Sequence, residues 1–238
     1  MNRLIEIYKL LLKNFGKQGW WPLTLEGFES KHHSGRPLSD KHRFEIIIGA
    51  ILTQNTNWKN VEKALFNLSK NDFIDAKKIC KVNRKKLAQL IRPAGYYNQK
   101  AERLKIFGDY ILKNYKGDIN HFFNYKNDNR LIRKNILELR KELLSIKGIG
   151  PETADSIILY AAEKPIFVID AYTKRIFERL GYKANSYDEW QKMFMDNLSE
   201  DREMFNEYHA LLVELGKRNC KKKPVCEGCV IKNFCKKC

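Results

Sequence analysis

The chain has 238 residues, 43% of them hydrophobic, enough for one or two domains with a proper core and no need of disulfide staples. Lys and Arg number 45 against 28 Asp and Glu, a formal net charge of +17. No run of ~18 or more apolar residues is present, which excludes a membrane span. The charge favours a polyanion: nucleic acid first, an anionic membrane surface second, with a merely lysine-rich composition as the plain alternative.

In chain order, MNRLIEIYKLLLKNFG places Leu4, Tyr8, Leu11, Leu12 and Phe15 on one face of a helix. It lacks the apolar block and small-residue cleavage site of a secretory signal, so a cytoplasmic, nucleoid-associated protein is expected, and a monomer. GWWPLTLEGFE follows, with Trp20, Trp21 and Pro22. These large rings suit either core packing between lobes or an aromatic binding face. HRFEIIIGAIL, opened by Phe44 and ending at Leu52, is apolar on most sides and reads as the central helix of a bundle. Helical periodicity recurs at Val61–Leu68, Leu87–Ile91, Ala101–Ile111, Leu131–Ile146, Thr153–Ala161 and Phe205–Leu215, so the chain is expected to be all-α. Ile166–Ile169 is a short strand-like run, and no Asn-Gly or Asp-Gly hairpin signal accompanies it.

Two glycines punctuate SIKGIGPETADSIILYA at 145–161. Gly148 and Gly150 permit positive φ and close approach of a backbone, and Pro151 suits the first position of the next helix. Lys147–Pro151 is therefore a tight turn between two helices. The unpaired N–H groups at the second helix's start, with its dipole, can hold a phosphate. Taken alone, the same glycines fit a plain αα-hairpin with no ligand better. Eighteen residues after Glu152, Asp170 in FVIDAYTKRIFERLG sits at the mouth of another helix. An N-cap is the commonest role of such a carboxylate, and acid–base or electrostatic work beside bound phosphates is the other.

The tail from Lys217 carries eight basic residues and five cysteines in 22 positions. Cys220, Cys226, Cys229 and Cys235 form C-x5-C-x2-C-x5-C. Disulfides are disfavoured in a chain with an ample core and no secretory signal. Four close thiolates suit zinc or an iron–sulfur cluster. Because only one Cys-x2-Cys pair is present, the spacing leans to [4Fe–4S] over zinc. Cys238 reads as a bystander at the terminus.

Four segments in order, AILTQNTNWKNVEKAL, GYYNQKAERL, IKGIGPETADSIILYA with VIDAYTKRI, and the cysteine loop, resemble the endonuclease III, or helix-hairpin-helix, superfamily of DNA glycosylases from about Phe44 to Cys235. The resemblance implies an all-α, two-lobed fold: a six-helix lobe at 36–166 containing the hairpin, and a lobe of 1–35 plus 167–238 carrying the cysteine loop (217–238). Double-stranded DNA with a damaged base would occupy the cleft, one nucleotide flipped out. The first arm of the cysteine loop is one residue shorter than the family's commoner C-x6-C-x2-C-x5-C.

Carried over position by position, Asp170 matches the catalytic aspartate. Gly148, Ile149 and Gly150 match the hairpin, with Lys147 beside it facing phosphate. Gln54 matches the glutamine that fills the gap left by the flipped base. Asn55 and Thr153 are grouped with the DNA contacts. Lys100 matches the YNxKA motif as a structural residue or a phosphate contact. Glu152 stands where strand-cutting members carry a lysine, and a carboxylate cannot form a Schiff base. The implied enzyme is therefore a monofunctional glycosylase rather than an AP lyase. Glu152 has either a pocket role or simply a carboxylate's preference for a helix start. WWP, RFE and KGIGPETAD together resemble the 3-methyladenine glycosylase branch, in which aromatic side chains sandwich the base. Trp21, Pro22 and Phe44 are the expected base pocket, and an alkylated purine the expected lesion. Two other functions stay open: an endonuclease III-like glycosylase/lyase on oxidised or mismatched pyrimidines, and a non-catalytic DNA-binding module.

Overall fold

The computed structural model describes residues 2–24, 30–31, 36–123 and 135–237. The chain is built of helices: α1 (Arg3–Phe15), α2 (Asp40–Leu52), α3 (Trp58–Lys70), α4 (Ala76–Lys81), α5 (Arg84–Leu90), α6 (Tyr97–Tyr115), α7 (Ile119–Phe123), α8 (Ile136–Ser145), α9 (Pro151–Ser156), α10 (Ala171–Arg179), α11 (Tyr187–Met195) and α12 (Arg202–Arg218). Leu23–Thr24 and Ser30–Lys31 pair antiparallel, too briefly to form a layer. Among the described residues no helix is long and apolar enough to cross a membrane. Contacts divide the chain into two compact units, Trp21–Lys164 and Met1–Trp20 with Pro165–Cys238.

The central unit is organised by α2. Every residue from Phe44 to Leu52 is buried, as its all-round apolar pattern requires, and α3, α6, α7 and α9 pack around it. Ser39 starts the helix by accepting the His42 N–H. Asn57, Asp75, Asn83 and Asn135 start α3, α4, α5 and α8 in the same way, each satisfying an N–H that the helix itself leaves without an acceptor. At α8, Glu138 returns a bond to the Asn135 N–H and completes a capping box. The first residues of the helix expected at Leu131–Ile146 lie outside the described residues.

Residues 21–24 belong to this unit, not to the N-terminal segment that was expected to run on to residue 35. The reason is local. Trp21 lies against Gly49 of α2, where a Cβ would stand 2.8 Å from Cζ2 of the indole. Glu45 then accepts the Thr24 N–H at 2.7 Å.

The other unit packs α12 against α1 and α10. Its core is aromatic: Phe167 stacks on Phe194 at 4.0 Å, and Phe205 and Tyr208 meet Phe167 edge-on. The Tyr208 hydroxyl donates to the Leu4 carbonyl at 2.9 Å, tying α1 in. Ile166–Ile169 is buried but forms no strand. Side chains of α11 serve its backbone instead: Gln191 Nε2 donates to Phe167 O at 2.7 Å, and the Ile169 N–H donates to the Tyr187 hydroxyl at 3.2 Å.

Candidate functional site

In the central unit, α8 ends at Ser145 and α9 begins at Pro151, joined by the tight turn that the two glycines predict. Gly148 has φ +94°, a conformation costly for any residue with a Cβ. The contact is as demanding as the angle: a Cβ there would stand 2.6 Å from Cγ of Arg103. Around Gly150 the space is open: among the described residues no atom comes within 4 Å of where a Cβ would stand. Gly150 is the N-cap of α9 and supplies no side-chain cap. A helix start with an open approach and no capping side chain is what an anion requires. The Ile149 N–H is already spent on Ile146 O at 3.0 Å, within the turn. Ile149 itself is buried.

Gln54 is bound into this turn. Its Nε2 donates to Gly148 O at 3.1 Å and to Thr153 Oγ1 at 2.9 Å, and its Oε1 accepts from Arg103 Nη1. Thr153 is buried, so its hydroxyl serves Gln54 and not an external ligand. Asn55, the next residue, is exposed with φ +53°. Lys147 has a side chain 80% exposed and touches Glu102 at 3.3 Å, a pair too solvated to hold it. Glu152 is exposed in the first turn of α9, where the helix dipole favours a carboxylate.

Lys100 is not a phosphate contact. It is 1% exposed, and its Nζ donates at 2.8 Å to Leu52 O and to Ala94 O. Burial first, then the neighbouring Arg103, pulls its pKa down to about 8. The expected aromatic pocket is also differently used. Phe44 is buried against Phe107, and Pro22 is buried. Trp21 is enclosed by Trp58 and Tyr160, each with ring centroids 5.2 Å away. Buried in this way, Trp21 and Phe44 present no open stacking face. Trp20, in the other unit, is half-buried with Lys217 Nζ 5.7 Å from its ring centre.

Asp170 is the N-cap of α10 and 9% exposed; its Oδ1 accepts the Thr173 N–H at 2.7 Å. Oδ2 stands 3.8 Å from Nε2 of His209, on α12. Among the described residues the buried Thr173 hydroxyl has no hydrogen-bond partner. Glu152 and Asp170 lie on different units.

The cysteine loop follows α12. Cys220, Cys226, Cys229 and Cys235 line one cavity with the apolar side chains of Ile176, Leu180 and Leu215. Burial, then the nearby Cys220 and Cys235, pushes the Cys229 thiol up. Arg179 fastens the loop to α10, donating to Cys220 Sγ at 3.1 Å, Lys221 O at 2.7 Å and Lys222 O at 2.8 Å. The donor set is thus four sulfurs on one apolar cavity, which suits a thiolate-held cluster in kind. The arrangement is not that of a closed ligand set: Cys226 is disulfide-bonded, and among the described residues no three Cys, His, Asp or Glu stand so as to hold a metal ion. Cys238 lies outside the described residues.

Arg103, His209 and Arg179 act on other functional side chains across many residues of chain, roles that no local motif marks in the sequence. Tyr96 joins them as a residue without a marked role in the sequence. That side chain is 68% exposed at φ +45°, on the rim of a polar cavity shared with Gln54, Asn55 and Arg103. The signal for Tyr96 was a bulky aromatic directly after Gly95.

Residues 48–200 match the family model described as HhH-GPD superfamily base excision DNA repair protein. The chain belongs to that superfamily. Membership makes it a DNA glycosylase, a hydrolase of N-glycosyl bonds. It is 47% identical over 234 residues (98% of this chain, 95% of the relative) to a Methanocaldococcus jannaschii protein provisionally named as a DNA repair glycosylase. Endonuclease III of Thermotoga maritima is 29% identical over 194 residues, 81% of this chain and 82% of the relative. Among solved structures, the H. pylori 3-methyladenine DNA glycosylase MagIII bound to 1,N6-ethenoadenine is 32% identical, with a TM-score of 0.65, over 90% of this chain and 97% of that one. A trapped endonuclease III–DNA covalent intermediate has a TM-score of 0.73 over 100% and 97% of the two chains, but only 21% identity, and shows the fold alone.

Proposed function

We propose that this glycosylase is monofunctional and releases alkylated purines such as 3-methyladenine from double-stranded DNA. The observation that carries the reading is Glu152, a carboxylate in the first turn of α9 where the strand-cutting members of the family place an amine. The likeness to MagIII, at 32% identity, supports the choice of lesion. The hairpin holds a phosphate at the open start of α9, with Lys147 adding charge and Gln54 keeping the turn rigid. The exposed ring of Tyr96 offers a base a surface to stack on.

Asp170 carries the chemistry in this reading. An N3-alkylated adenine nucleoside is a cation, so the C1′–N bond breaks with its electrons going to a base that leaves neutral and needs no added proton. The carboxylate stabilises the positive sugar, and water attacks C1′, giving up a proton to Asp170 or solvent. The products are a free base and an abasic site. With Cys226 reduced, Cys220, Cys226, Cys229 and Cys235 would be the residues to hold a [4Fe–4S] cluster, and zinc is the alternative. Such a group would supply a cross-link that shapes the basic loop.

Borohydride treatment of the enzyme on abasic duplex tests the monofunctional reading. No covalent protein–DNA adduct is expected. A trapped adduct would favour the endonuclease III-like alternative.

A further inference from the structure

Asp170 has two carboxylate oxygens with unequal duties. Oδ1 is committed to the start of α10 through the Thr173 N–H at 2.7 Å. Oδ2 is left for chemistry, and the side chain directly behind it is His209 of α12, with Nε2 3.8 Å away. Both side chains are about nine-tenths buried. The two helices are locked at this spacing: Gly216 of α12 admits Tyr172 of α10 so closely that a Cβ at 216 would stand 2.2 Å from Cδ1 of the ring. The imidazole cannot swing far from the carboxylate.

We propose that His209 is a positioning residue for Asp170, a neutral imidazole whose Nε2–H is turned to Oδ2 and fixes its direction while Oδ1 is held by the helix. The inference rests on Asp170 being the catalytic carboxylate. An ionised carboxylate only accepts hydrogen bonds, so the nitrogen facing it must carry the proton if the contact is to be favourable. Burial lowers the pKa of His209 and outweighs the opposite pull of Asp170, which keeps the ring uncharged. A neutral donor orients the carboxylate without cancelling the negative charge that the sugar cation requires. At 3.8 Å the contact is longer than a direct hydrogen bond. Sites of this kind close by small movements, or through one water, when substrate binds.

The test compares His209→Gln, which keeps a donor near the Nε2 position, with His209→Phe, which keeps bulk and removes it. Single-turnover base release from a dimethyl-sulfate-treated duplex and the duplex Kd are measured for both. Loss of a hydrogen bond to a charged group predicts a fall of about tenfold or more in the rate for His209→Phe, an unchanged Kd, and substantial recovery in His209→Gln. Equal losses in both variants, or no loss in either, overturns the proposal. Nitrogen-15 NMR of the wild-type imidazole reads the tautomer without any substrate: a proton on Nε2 is expected, and a proton on Nδ1 overturns the proposal. Asp170→Asn separates the two claims. If that variant still releases base, the reading of Asp170 fails; if it is inactive while His209→Phe keeps full rate, only the positioning role fails.

Discussion

A buried carboxylic acid in α2 gives the molecule a pH signature. Glu45 is enclosed in α2, and burial raises its pKa from the ordinary carboxylate range to about 7, despite the Thr24 bonds and Lys41 that work the other way. The raised value is the folded state's. Below the unfolded pKa both states hold the proton and the group is neutral to stability. Between about 4.5 and about 7 the unfolded chain releases the proton first, so stability falls as pH rises. The slope approaches about 1.4 kcal/mol per pH unit for one proton. Glu45→Gln, which still accepts from Thr24, is expected to flatten this part of a urea-unfolding pH series. A slope unchanged by the substitution would refute the assignment. At this scale the sequence marked Asp170 and Glu152 correctly as helix-start carboxylates. It could not mark His209 or Arg103, because the groups they serve lie 39 and 49 residues away in the chain. It also assigned Phe44 and Trp21 to a base pocket. Aromatic rings beside a small residue such as Gly49 serve a core and a binding face equally well, and only the packing tells them apart.

The hairpin is an element whose rigidity can be measured. Arg140 of α8 meets Asp155 of α9 at 2.8 Å, and the aspartate is wholly buried. Removing either partner leaves the other charge buried and uncompensated, so Asp155→Ala is expected to cost about 3–5 kcal/mol in denaturant unfolding. A cost below about 1 kcal/mol would mean that the pair is solvated. Gly148→Ala combines positive φ with a clash on Arg103, which itself holds Gln54. It should weaken duplex binding and lose about 1–2 kcal/mol of stability. Directly after α9 the helix widens into a π turn, Ile157–Ala161. Arg43 closes its end, donating to Ala161 O at 2.5 Å and pairing with Glu163 at 2.8 Å. The glycines and Pro151 made the hairpin legible. The π turn was not legible, because an extra residue per turn leaves an apolar run such as IILYA looking like ordinary helix.

For the whole molecule, the +17 charge acts through phosphate. Duplex affinity should fall steeply with salt, about 0.9 logarithmic units per tenfold salt for each phosphate neutralised, and Lys147→Ala should reduce that slope by about one contact. The helical class and the order of the motifs were readable from periodicity and spacing. The division between units at Trp20–Trp21 was not, since it depends on which helix the two rings pack against. The cysteine tail was legible as a donor set but not as a closed site. Chain purified without oxygen is expected to hold about four iron and four sulfide per molecule and to lose them in Cys220→Ser. Zinc in their place would show the alternative.

The central claim is base release by Asp170 acting on an alkylated purine, and chromatography of the bases freed from dimethyl-sulfate-treated duplex tests it most directly. The wild-type chain should liberate 3-methyladenine, and Asp170→Asn should liberate none while binding the duplex with similar affinity. A wild type that frees no alkylated purine, or an Asp170→Asn that frees it at the wild-type rate, would contradict the account.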